Sequence, residues 1–156
     1  MTIEFALTSL FLFAMTLTGL DLAGFYIQRS NLRAAVSAAA VSAFATRDAA
    51  NYAGLVSYVQ RASRAPDPSG VTVTTGCNGG TSNCTNTGRT CSCLSTTGTY
   101  VAAASCTATC SGGATSGSTA GYYLNIQARY IYTPLILPRG LMGNTAIAEA
   151  VTVRLQ

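Results

Sequence analysis

The chain has 156 residues, of which nine are basic, all of them Arg, and five are acidic; His, Lys and Trp are absent. Imidazole bases, lysine Schiff bases, Walker-type phosphate loops and H-E-x-x-H zinc motifs are thereby excluded. Charged residues make up only 9% of the chain, against about 25% in soluble domains, and the mean hydropathy is +0.33, which points to a membrane-associated or assembly-buried protein.

Residues 1–65 contain no proline and read as one extended helix. Between Glu4 and Asp21 lie 16 uncharged residues, FALTSLFLFAMTLTGL, which as helix cover about 24 Å, close to the roughly 30 Å hydrocarbon core of a bilayer. No basic segment precedes this run and no cleavage context ends it, unlike a secretory signal. Beyond it, Leu32, Val36, Ala39/Ala40 and Ala43 recur at three- and four-residue spacing, as do Leu55, Tyr58, Val59 and Ala62. The alanine-rich stretch AAVSAAAVSAFA makes a thin helix that neighbours can approach closely. Arg29 and Arg33 share a face and mark the side turned to water or lipid headgroups. A rod of 64 residues would be about 96 Å long, far more than the rest of the chain can cover. Its apolar surface must be buried by lipid, by copies of itself, or by both. Pro66 and Pro68 close the helix.

Residues 70–121 carry one charge, Arg89, and are dominated by Gly, Ser, Thr and Cys. The six cysteines, Cys77, Cys84, Cys91, Cys93, Cys106 and Cys110, read as a disulfide framework formed in an oxidising compartment. A hairpin turning near Gly98 would nest Cys93 with Cys106 and Cys91 with Cys110, leaving Cys77 with Cys84 as a local loop. A zinc site built from these thiolates is disfavoured by the absence of His, so neither metal nor cofactor is expected. Asn83-Cys84-Thr85 fits the glycosylation acceptor pattern, a triplet that also arises by chance.

The last third is strand-like. YYLNIQARYIY (122–132) is rich in β-formers, Pro134 and Pro138 punctuate a turn, and 145–155 alternates, with Ala146, Ala148 and Ala150 on one side and Val151 and Val153 on the other. That last pattern suggests either a bulge or a loose alternation. Val71, Val73 and 100–103 are candidates for further short strands. The fold class expected is α+β, pilin-like. A helix over 1–65 precedes a disulfide-braced head over 66–156, with a small antiparallel sheet packed on the C-terminal half of the helix.

In this order of features the chain resembles the TadE/TadG-like family, pilin-like proteins of tight-adherence (Flp-type) pilus systems. The resemblance is carried by the opening MTIEFAL, the apolar run with Asp21 near its end, Tyr26 and the alanine-rich helix. At the other end it is carried by the aromatic strands, Pro134–Pro138 and AEAVTVRLQ. The spacing of Cys91-Ser-Cys93 and Cys106-Thr-Ala-Thr-Cys110 is similar to a cysteine-containing subset of such proteins. The family's acid at the fifth mature position corresponds here to Glu4, one place earlier.

The resemblance implies cleavage of a short basic leader by a prepilin peptidase and residence in the bacterial inner membrane through the apolar helix. The assembly machinery of the pilus would then build the chain into a helical homo-oligomer on the cell surface. A minor, membrane-retained accessory that initiates or anchors such a filament would carry the same features. Neither role involves nucleic acid, and the arginines form no phosphate-tracking run. No grouping of Asp, Glu and Arg recommends an enzyme.

Four charged residues stand out for assembly. Glu4 either favours the helix N-terminus through the macrodipole or, as the resemblance implies, pairs with the N-terminal amine of a neighbouring subunit. Asp21 is either a solvated acid at the membrane boundary or the cross-subunit partner of Arg29 or Arg33. Tyr122, Tyr123, Tyr130 and Tyr132 are ordinary sheet residues or, if exposed together, an adhesive patch.

Overall fold

A proline-free, alanine-rich stretch propagates as helix without interruption, and helix α1 runs Thr2–Ala45, 44 residues and about 66 Å. The computed structural model describes residues 2–81, 84–111, 117–134 and 145–156. The expectation of one helix to residue 65 is corrected here. Helix α1 ends in a short 3-10 turn at Arg47–Ala49, and a second helix, α2 (Tyr52–Ala62), folds back onto it. The break is built by local polar chemistry. The Thr46 hydroxyl turns back to the Ser42 carbonyl, and the Asn51 side chain caps α2 by accepting from the Gly54 N–H at 2.9 Å. The turn is then fixed from outside. Asn86 both accepts from the Ala50 N–H and donates to the Ala50 carbonyl, each at 3.1 Å, as a neighbouring strand would.

Among the described residues five strands follow: β1 (Thr72–Cys77), β2 (Ser92–Leu94), β3 (Tyr100–Ala102), β4 (Tyr123–Ile131) and β5 (Ala146–Arg154). Antiparallel β1, β4 and β5 form one sheet with β4 in the centre, and β2 pairs with β3 in a separate hairpin. The helices lie on one face of the three-stranded sheet, α1 over β5 and β4 and α2 over β1. Period-two alternation supplies that face from β4 with Leu124, Ile126 and Ala128, all buried. From β5 it takes Ile147, Glu149, Val151 and Val153, and Leu155 just beyond, while Ala146, Ala148 and Ala150 stay outside. The β4–β5 register is unbroken from Tyr123↔Arg154 to Ile131↔Ala146, so the suggested bulge is absent and the alternation is strict. The helix meets this face with the expected stripe, Leu32, Val36, Ala39, Ala40 and Ala43, joined by Ala35. Its small side chains let the helix axis come close to the sheet, while Leu55 and Val59 bring in α2.

All six cysteines are paired, as Cys77–Cys84, Cys91–Cys106 and Cys93–Cys110. The first matches the expectation; the other two exchange the nested partners. The hairpin register explains why. The turn at Ser95–Thr99, with Gly98 at φ +83°, sets Val101 opposite Cys93, so Cys106 lies five residues beyond the place that nesting requires. Cys106 instead meets Cys91 just past the end of β3. Residues 108–110 pair with 118–120 through the Thr109–Thr119 bridge, Ser92 is bridged to Gly121, and Cys110 is thereby set beside Cys93. The proline turn lies outside the described residues from 135 to 144, as does Asn83 of the acceptor triplet.

Candidate functional site

The N-terminal part of α1 is the most unusual surface of the molecule. From Ile3 through Leu20 no residue is buried, and Ile3, Phe5, Leu7, Leu10, Phe11, Leu12, Phe13 and Met15 are all exposed. Eighteen residues of helix make this bare stretch about 27 Å long. Its four hydroxyl side chains do not need water. Thr8, Ser9, Thr16 and Thr18 each donate to the carbonyl four residues earlier, on Glu4, Phe5, Leu12 and Ala14. A helix with this surface suits a bilayer or other helices of its kind, and it is long and apolar enough to cross a membrane.

Glu4 is exposed in the first turn of α1, at the far end of the bare stretch from the head. Asp21 is placed otherwise than expected. It is only 1% exposed, covered within its own molecule, so the reading as a solvated boundary acid does not hold. Tyr132, just past the end of β4, meets this turn of α1, and its hydroxyl donates to the Asp21 backbone carbonyl at 3.0 Å. The ring lies over Gly24, where a Cβ would come within 2.7 Å of the Tyr132 oxygen, and meets the Phe25 ring edge-on at 5.6 Å. Burial, and then the charge of Asp21, hold the Tyr132 phenol above its ordinary pKa of 10.0. Gly24 is therefore a seat for Tyr132, and this clasp marks where the head begins to cover the helix.

Two turns further on, the Arg29 Nε donates to the Glu149 carboxylate at 2.9 Å, so Arg29 serves its own head. Glu149 is an acid on the helix-facing side of β5, and the guanidinium neutralises it at the rim of the core. Arg33 is exposed on α1. The four expected assembly residues are thus not one cluster: they are strung along α1, and the head engages Asp21 and Arg29. Tyr122 and Tyr132 are buried, which removes two members of the suggested aromatic patch.

Reading the sequence alone missed a polar staple on the other side of the head. Arg89, the lone charge of the middle zone, donates to the carbonyls of Thr85 and Arg47 and to Asn86, and its guanidinium lies 5.0 Å from the centre of the Tyr122 ring. It ties the cysteine-rich loops to the turn between the helices. The cysteines, all oxidised, offer no thiolate, and among the described residues no group of three acids or cysteines is placed to hold a metal ion. Comparison with family models, with curated proteins and with solved structures finds no match. The surface itself carries the functional reading.

Proposed function

We propose that this chain is a structural subunit of an extracellular, type IV-like filament related to tight-adherence pili. Its apolar helix holds it in the bacterial inner membrane before assembly and packs among the helices of other copies afterwards. The observation that carries this reading is the bare stretch of residues 3–20 on a helix whose remaining length packs one face against a disulfide-braced head. Such a surface demands a partner. Lipid meets the demand for a single molecule, and the same surface of other copies meets it in a filament. Moving the helix from lipid into protein exchanges one apolar contact for another, so association rests on packing and on matched charge rather than on further dehydration. Glu4, at the end of the stretch, is suited to report register: a carboxylate among apolar helices is tolerated only where a positive group meets it. The family resemblance supplies that group as a neighbour's N-terminal amine.

Surface material sheared from producing cells, purified and imaged, tests the reading. Filaments with this chain once per repeat are expected. Recovery of the chain solely as a membrane-bound monomer overturns the proposal.

A further inference from the structure

The bare stretch is slightly too short for the bilayer it would cross. Residues 3–20 span about 27 Å of helix, whereas the hydrocarbon core is about 30 Å thick and a headgroup layer adds about 5–8 Å on each side. Yet Asp21, the next residue, is already covered by the head. A tilted helix projects an even shorter length along the membrane normal, which carries the head deeper. The base of the head and the outer headgroup layer therefore fall at the same level.

The residues at that level are suited to it. On α1, Leu22, Tyr26 and Ile27 are 42%, 64% and 59% exposed, and Tyr26 stands six residues, about 9 Å, above Leu20. On the sheet, the contact of Tyr132 with Asp21 and Gly24 brings the end of β4 to the same height. There Ile131, facing away from the helix, is 50% exposed. Immediately above, the helix turns polar with Gln28, Arg29, Ser30 and Asn31, and the Arg29–Glu149 ion pair sits on the water side. An aromatic and aliphatic band capped by polar residues is the pattern of a membrane–water interface.

We infer that the base of the head is itself a lipid-contacting surface, in which Tyr26 and Ile27 of α1 and Ile131 of β4 bed into the headgroup layer while the bare helix spans the core. The surface is continuous with the bare stretch and rests on the membrane reading above. Before assembly, the head sits on the bilayer rather than standing clear of it on a stalk.

The absence of Trp provides a clean probe. Full-length chains carrying Phe11→Trp, Tyr26→Trp or Ile131→Trp, each at an exposed site, are reconstituted into phosphatidylcholine vesicles. The lipids bear a nitroxide either on the headgroup or deep in the acyl chain. Phe11→Trp should lose emission mainly to the deep label, and Tyr26→Trp and Ile131→Trp mainly to the headgroup label. If the probe at 11 is quenched while the probes at 26 and 131 respond to neither label, the head stands clear. The lipid-contacting surface is then refuted with the span intact. Quenching at 26 without quenching at 131 confines contact to the helix and also refutes it. A probe at 11 that neither label quenches removes the membrane reading beneath it.

Discussion

The seat of Tyr132 on Gly24 makes an energetic prediction whose sign depends on the partner. Alone, Gly24→Ala should gain about 1 kcal/mol of intrinsic helix propensity. Against that gain, the new methyl would lie 2.7 Å from the Tyr132 oxygen, so the ring must move. Moving it forfeits the bond to the Asp21 carbonyl, worth about 0.5–1.5 kcal/mol, and the edge contact with Phe25, worth a similar amount, with packing strain of about 1–3 kcal/mol besides. The net expectation is a loss of about 1–5 kcal/mol. Tyr132→Phe alone should lose only the hydrogen bond. With the oxygen gone, the nearest remaining ring atom would be 3.8 Å from the methyl, an ordinary contact, so Gly24→Ala added to Tyr132→Phe should be neutral or stabilising by up to about 1 kcal/mol. Urea unfolding of the full chain in mild detergent, followed by tyrosine near-UV circular dichroism, measures all four corners of the cycle. The expected coupling is about 1–6 kcal/mol in magnitude; single effects that add to within about 0.5 kcal/mol would refute the clasp.

Non-reducing peptide mapping should recover Cys91–Cys106 and Cys93–Cys110, and replacing Cys91 and Cys106 together by Ser should cost about 3 kcal/mol, the value for closing a 15-residue ring. Hydrogen exchange should then rise over 91–121 before it rises in β4; uniform protection would contradict the separate hairpin. Because folding raises the Tyr132 pKa, the unfolded chain gives up that proton first, so the associated stability is complete below pH 10 and is lost above it. Alkaline unfolding should therefore be less steep in Tyr132→Phe than in the parent, and identical profiles would exclude the linkage. Arg29→Met should lower stability by less than about 1 kcal/mol, since the Arg29 side chain is 57% exposed, and added salt should shrink the difference in unfolding midpoint.

What could be read in advance follows from the range of the interactions involved. The stripe from Leu32 to Ala43 and the alternating residues of β4 are local patterns, and they bury the faces they announce. The end of α1 was also written locally, in Thr46 and in Asn51 three residues before Gly54, but the alanine-rich flanks mask a polar break of six residues. The crossed disulfides were not legible, because cysteine spacing does not contain hairpin register; the Ser95–Thr99 turn sets it. Asp21 was misjudged for a different reason. Hydropathy sees an acid at the end of an apolar run, whereas in the fold this residue is buried and its backbone carbonyl is bonded by a tyrosine 111 residues away. Arg29 and Glu149, 120 residues apart, are equally invisible to any window along the chain.

Because α1 runs unbroken from its naked half onto the sheet, the helix itself gives no pivot at which the two parts can turn independently. A lean of about 20°, ordinary for a membrane helix, would swing the upper end of a 66 Å rod sideways by about 20 Å and carry the whole upper body with it. Posture in the lipid and the direction in which the body faces its neighbours are then a single mechanical variable.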